Sequence, residues 1–312
     1  MKPLLPLLMC ALIVSDALAD NLVIPLWPEG VPASFRADAP AAQGPIAPEQ
    51  SDAEGRISHI SQPRLTVFPA AIDRPTGTAM IICPGGGYAR LSHDREGLQY
   101  ARWLSTLGIT SFILTNRVGD YGHPAPLQDV LRAIRIVRSR AAEFKIDPAR
   151  LGVMGSSAGG HLAACAGTLF DHADGRTGAA LDSVNARPDF LILMYPVITM
   201  EPGVAHLGSR QQLLGATADP ALVARMSLEQ AVTSQTPPTL LIHTQEDATV
   251  PIENAVRFFQ ALTKAKVPAE FYAFEHGSHG MGMKAGFGTA SDWPKRAEEW
   301  LRNRGLLDVV KK

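Results

Sequence analysis

The apolar stretch Leu151-Gly152-Val153-Met154 runs directly into Gly155-Ser156-Ser157-Ala158-Gly159, and that into Gly160-His161-Leu162-Ala163-Ala164. A strand, a G-x-S-x-G turn and a helix of small residues therefore follow one another with no linker. A strand-to-helix turn this abrupt forces its central residue into strained backbone angles. Small residues at 155 and 159 keep the flanking elements from colliding. The Ser157 hydroxyl is then presented above a sheet, at a helix N-terminus whose dipole favours negative charge. Alone, the five-residue pattern also fits a phosphate loop or a plain tight turn. The strand before it and the helix after it select the exposed nucleophile.

A serine hydroxyl is a poor nucleophile without a base. With this kind of turn the chain order is nucleophile, acid, histidine. The apolar run Leu240-Leu241-Ile242-His243 ends in Thr244-Gln245-Glu246-Asp247-Ala248-Thr249. There Asp247 is the better-placed acid and Glu246 the alternative. After the last apolar run the chain reads Phe274-Glu275-His276-Gly277-Ser278-His279-Gly280. His276 and His279 both qualify by position; His279 is preferred, in a loop that Gly277 and Gly280 leave free to reach Ser157. A developing oxyanion needs N–H donors. Pro84-Gly85-Gly86-Gly87-Tyr88 supplies a turn whose backbone approaches a substrate closely, and the residue after the nucleophile, Ala158, supplies another donor. Neither G-x-G-x-x-G nor G-K-[ST] follows the glycines, which argues against phosphate binding. No histidine or cysteine spacing fits a metal site, and no cofactor is expected.

The rest of the chain alternates strands with helices. Strands are expected at Leu65–Phe68, Ala79–Ile82, Thr110–Leu114, Leu151–Met154, Phe190–Tyr195, Leu240–His243 and Glu270–Phe274. Helices are expected at Gly97–Leu107, Pro126–Phe144, Ala158–Leu169, Ile252–Lys264 and Asp292–Arg302. This pattern means βαβ units, hence an α/β fold with a mostly parallel sheet and helices on both faces. Residues 20–63 have little periodicity and read as an N-terminal arm with short strands at best. Residues 64–312 read as the catalytic domain. Within it, 198–238 read as a small cap inserted over the sheet's C-terminal edge, where such folds bind ligands.

Composition narrows the partners. With 29 basic and 30 acidic side chains the net charge is −1, which argues against a nucleic-acid partner. An apolar fraction of 46% argues against disorder. Three cysteines exclude a disulfide-stapled scaffold. Residues 1–19 carry Lys2, an apolar core from Leu4 to Val14 and Ala17-Leu18-Ala19, the pattern of a secretory signal peptide rather than a membrane span. A periplasmic or secreted protein with no membrane anchor is expected. Cys83 and Cys165 read as buried small hydrophobes.

From Leu26 to His279 the chain resembles the α/β-hydrolase esterases of the bacterial acetylxylan-esterase and carboxylesterase type. The matching stretches include Leu26-Trp27-Pro28-Glu29-Gly30, Cys83 to Tyr88, Asp94-Arg95-Glu96-Gly97, Ile146-Asp147-Pro148, Gly155 to Ala163, Asp247 to Pro251 and His279-Gly280. The resemblance implies an α/β-hydrolase fold with Ser157 as nucleophile, Asp247 as acid and His279 as base. It implies Gly86, Gly87 and Ala158 as oxyanion donors. It departs at Pro84, where related lipases and esterases carry a histidine that anchors the glycine loop, and at Ser156, where many carry an aromatic residue or Asp. Tyr88, Trp27 and the cap are the candidates for a sugar-stacking surface, the alternative for the two aromatic residues being burial in the core. The expected activity is hydrolysis of short-chain, acetyl esters on a plant polysaccharide such as xylan. The alternatives are a general carboxylesterase or lipase, a serine peptidase, and a non-catalytic binder on the same scaffold.

Overall fold

A computed structural model describes residues 21–71 and 75–309; the expected signal segment 1–19 lies outside them. The first strands and helix are β1 (Val23–Pro25), α1 (Pro40–Gln43), β2 (Gln50–Ser51), β3 (Ile57–Ser58), β4 (Arg64–Phe68) and β5 (Ala79–Cys83). A π-helical turn, Asp94–Leu98, leads into α2 (Gln99–Thr106), followed by β6 (Thr110–Thr115), α3 (Ala125–Ser139) and α4 (Ala141–Phe144). The nucleophile turn joins β7 (Leu151–Ser156) to α5 (Ala158–Thr168). Next come β8 (Phe190–Met194), α6 (Leu207–Leu214), α7 (Pro220–Arg225), β9 (Thr239–Thr244), α8 (Glu253–Lys264), β10 (Ala269–Phe274) and α9 (Trp293–Asn303).

Eight strands form one sheet in the order β1-β4-β6-β5-β7-β8-β9-β10. β4 runs antiparallel to both neighbours, and the six strands from β6 to β10 are paired in parallel. The continuous apolar runs arise because both faces are covered, so alternate residues enter different cores. In β5, Ile81 and Cys83 join the cluster that contains the α3, α5 and α8 side chains. Met80 and Ile82 join the opposite cluster, with Tyr100 and Leu104 of α2 and Trp293, Trp300 and Leu301 of α9. Cys83 and Cys165 are buried and unpaired.

One expectation is revised. The helix foreseen over Pro126–Phe144 breaks at Arg140, which leaves helical angles at φ −105°, ψ 20°; Ser139 Oγ bonds back to the Ile136 carbonyl just before the break. The segment 20–63 holds three short strands, β1, β2 and β3. β1 adds an edge strand to the main sheet, and Trp27 behind it is buried.

Trp27 also donates to a fully buried ion pair, Arg117–Asp129. Its indole N–H donates to Asp129 Oδ1 at 2.8 Å. Arg117 donates to the same carboxylate from its guanidinium, Nη2 to Oδ1 at 2.8 Å, and from its backbone N–H to Oδ2 at 2.8 Å. Both charged side chains are fully buried. A buried pair of this kind adds little over an apolar replacement, but removing one partner strands a charge in a low-dielectric interior. Asp129→Asn keeps the shape and removes the countercharge. It is expected to destabilise the protein by about 3–5 kcal/mol in urea denaturation; a loss below about 1 kcal/mol contradicts this account.

Candidate active site

The turn between β7 and α5 is built by close backbone contact. Ser157 has φ 54°, ψ −122°, a left-handed conformation costly for any residue with a Cβ. A Cβ on Gly155 would stand 2.1 Å from the Gly159 carbonyl oxygen, and one on Gly159 would stand 2.1 Å from the Cys83 carbonyl oxygen. Glycine at both positions is therefore a packing requirement.

The structure brings Ser157, His279 and Asp247 together. His279 Nε2 lies 2.8 Å from Ser157 Oγ, and His279 Nδ1 lies 2.7 Å from Asp247 Oδ2. A carboxylate only accepts, so in the neutral ring Nδ1 carries the proton. Nε2 then faces the serine hydroxyl with a lone pair. Asp247 follows β9 and is buried; the backbone N–H groups of Thr249 and Val250 both donate to its Oδ1 at 2.9 Å. Burial alone would raise its pKa. Hydrogen bonds from His243, His279 and the Val250 N–H outweigh that and hold it well below the ordinary carboxylate range. The alternatives Glu246 and His276 are exposed and pair with each other, Nδ1 to Oε1 at 2.8 Å.

Gly86 and Gly87 line the same cleft as Ser157, and Ala158 follows it at the start of α5. Among the described residues, the N–H groups of all three have no protein acceptor. The glycine turn, which lacks the histidine anchor because Pro84 replaces it, is held instead by Glu96. This side chain comes from the π-helical turn before α2 and is 3% exposed. Its Oε2 accepts the Gly85 N–H at 2.8 Å, and its Oε1 accepts the Tyr195 hydroxyl at 2.8 Å. The Tyr195 oxygen in turn accepts the Gly282 N–H at 3.2 Å. Its ring meets His279 edge to face at 5.1 Å. One buried carboxylate thus ties the glycine turn to the loop that carries the histidine. Burial raises the Glu96 pKa, opposed by those hydrogen bonds and by the His279 and Arg95 charges.

His206, from the inserted segment, also faces the cleft. Its Nδ1 accepts the Ser209 N–H at 3.2 Å, which leaves the proton on Nε2 in the neutral ring. Sequence reasoning missed both residues. Glu96 lies in a stretch that carried the family resemblance without a role, and His206 has no motif around it.

Tyr88 is a correction. It is 3% exposed and does not line the cleft. Its φ of 60° turns the ring inward, where its hydroxyl lies 2.8 Å from His161 Nδ1. His161 Nε2 donates to the Met226 carbonyl at 2.9 Å, so Nδ1 is the acceptor of the Tyr88 O–H. Trp27 is likewise unavailable for stacking. The cleft, of about 330 Å³, is walled by glycines, hydroxyls, histidines and charged side chains. Its largest hydrocarbon group, apart from charged-residue stems, is the Thr249 methyl. Among the described residues no group of three His, Cys, Asp or Glu side chains is arranged to hold a metal, and no helix is long and apolar enough to cross a membrane.

A doubly wound, mostly parallel sheet with a serine at the sharp β7–α5 turn, an acid after β9 and a histidine after β10 defines an α/β-hydrolase. The BD-FAE profile matches residues 69–262, and the chain belongs to this family, among the α/β-hydrolase esterases. It is 35% identical over 237 residues to an acetylxylan esterase of Xylanibacter ruminicola, a match covering 75% of this chain and 45% of that protein. The chain thus spans less than half the length of this curated relative. An acetyl ester-xyloside bifunctional hydrolase from Caldicellulosiruptor lactoaceticus superposes with a TM-score of 0.77 at 38% identity, over 93% of this chain and 99% of that one. A carboxylesterase from Lactobacillus plantarum WCFS1 gives a TM-score of 0.67 at 25% identity, over 86% and 100%.

Two outcomes follow from the buried groups. Glu96→Gln keeps the volume but cannot accept from both Gly85 and Tyr195 through carboxylate oxygens. It is expected to lower kcat for ester hydrolysis by about 10-fold or more with little change in KM, since oxyanion donors act in the transition state; an unchanged kcat would exclude the anchoring role. His161 has its pKa pushed down from 6.5 to about 4 by burial. Above pH 6.5 both folded and unfolded states hold it neutral. Between 6.5 and 4 only the unfolded state binds the proton, so stability falls as pH falls, and the loss is complete below 4. The full contribution is about 3 kcal/mol. Urea midpoints measured from pH 7 to pH 4.5 should show this slope, and His161→Gln should flatten it.

Proposed function

We propose that the protein is a serine carboxylic-ester hydrolase that removes short acyl groups, acetyl above all, from a carbohydrate such as xylan. His279 takes the Ser157 proton as the hydroxyl oxygen attacks the ester carbonyl. Asp247 fixes the imidazole and stabilises it when charged. The N–H groups of Gly86, Gly87 and Ala158 receive the oxyanion, the alcohol leaves with the proton from His279, and water cleaves the acyl-enzyme by the same route. The observation that carries the carbohydrate reading is the cleft wall. A site for long acyl chains needs hydrocarbon lining, whereas this one offers hydrogen-bonding and charged groups suited to a polyhydroxylated alcohol. The acetylxylan esterase and acetyl ester-xyloside hydrolase among its relatives support the same substrate class. On this reading residues 1–19 direct export, and the active species is periplasmic or secreted, beginning at Asp20.

The test is acetate release from acetylated xylan, set beside hydrolysis of p-nitrophenyl esters of rising chain length. It uses protein recovered from the periplasm or medium, with its N-terminus sequenced. Acetate release and a steep fall beyond short acyl chains are expected, with Ser157→Ala losing nearly all turnover. Strong activity on long esters without acetate release would favour the general carboxylesterase reading. Full activity in Ser157→Ala would remove the serine mechanism, and an N-terminus at Met1 would remove the export reading.

A further inference from the structure

The arginines of this protein are, with few exceptions, occupied. Arg117, Arg132, Arg135 and Arg138 pair with carboxylates. Arg150, Arg187 and Arg210 donate to backbone carbonyls, and Arg304 covers Trp300. Among the described residues only Arg90, Arg95 and Arg102 have neither a protein acceptor for the guanidinium nor an aromatic ring beneath it. Arg90 and Arg95 both line the cleft with Ser157.

The carboxylates nearby are engaged elsewhere. Glu96 accepts from Gly85 and Tyr195. Glu54 and Asp52 both hold Arg56. The Asp94 carboxylate approaches His93 at 3.4 Å rather than the neighbouring arginine. Arg90 and Arg95 are therefore the cleft charges left without an opposite partner among the described residues. Their backbones are well placed for this. The Arg90 N–H donates to the Gly86 carbonyl at 3.2 Å, so Arg90 closes the glycine turn itself. The Arg95 stem lies beside Gly282, where a Cβ would stand 3.2 Å from its Cγ. Arg90 is thus rooted on the oxyanion side of the cleft and Arg95 beside the histidine loop.

We propose that the preferred substrates are esters of acidic carbohydrates, in which a sugar near the acylated one bears a uronate carboxylate held by Arg90 and Arg95. This rests on the serine-esterase reading and deepens it. Guanidinium groups match a carboxylate with paired N–H donors. Both side chains are exposed, so the gain per contact is modest and screened by salt.

The test compares kcat/KM for acetylated xylo-oligosaccharides with and without a uronic acid branch, matched in acetylation, at low and high sodium chloride. The branched acidic substrate is expected to be preferred by about 3- to 10-fold at low salt, the preference shrinking as salt rises. Arg90→Ala/Arg95→Ala should bring the ratio to about one, and Arg90→Lys/Arg95→Lys should keep part of it. The ratio is read within one enzyme preparation, so a disturbed glycine turn lowers both rates and leaves it unmoved. Equal wild-type kcat/KM for the two substrates, or a preference that survives in the double alanine variant, overturns this inference and leaves the esterase reading intact. Failure to deacetylate either oligosaccharide, with p-nitrophenyl acetate still hydrolysed, overturns both this inference and the carbohydrate reading. Retained activity in Ser157→Ala overturns the mechanism on which both rest.

Discussion

The site depends on how closely three backbone segments approach one another at the end of β7. Gly159 presses against the carbonyl of Cys83 at the end of β5, and Gly155 against the carbonyl of Gly159. No side chain separates these elements, so Ser157 has one position, raised on a left-handed backbone angle above the sheet. The Ser157 N–H bonds to the Met194 carbonyl of β8 at 3.0 Å, which fixes the turn from the other side. Strain at such a residue persists only where its surroundings over-determine it. The glycine turn after β5, the acid after β9 and the histidine after β10 are all referenced to that same sheet edge.

Two buried carboxylates flank this turn, and their surroundings move their pKa values in opposite directions. Asp247 gathers imidazole and backbone donors until its charge is strongly favoured despite burial. Glu96, with one N–H and one phenol hydroxyl, remains dominated by desolvation, and its pKa rises. Environments that push similar groups apart are how one site assigns them different work. Here one carboxylate orients an imidazole, and the other orients a stretch of backbone.

The sequence made the central part of the fold legible because the physics there is local. Both-face burial writes continuous apolar strands, and a zero-length strand-to-helix turn writes G-x-S-x-G. Chain order then pointed to Asp247 and His279, which the structure places within hydrogen-bonding distance in series with Ser157. What escaped was set by tertiary contact. Glu96 meets Tyr195 across 99 residues of chain, and no spacing rule reaches that far. His206 belongs to an irregular insertion whose course follows from the core beneath it. Tyr88 was misplaced because an aromatic residue beside three glycines looks exposed, whereas its own positive φ points it at His161. The pairing of β1 with β4 was not legible, because three residues are too few to show a period.

The π-helical turn at Asp94–Leu98 carries a further consequence. A π turn holds one residue more than the α-helix around it, and each residue advances an α-helix by about 100°. Loss of a single residue here would let the segment relax to regular α-helix while rotating Glu96 away from the glycine turn. The length of this segment is thus coupled to the register of the active site. In a lineage of such chains, single-residue insertions and deletions before α2 would be expected to coincide with a change in what anchors the glycines.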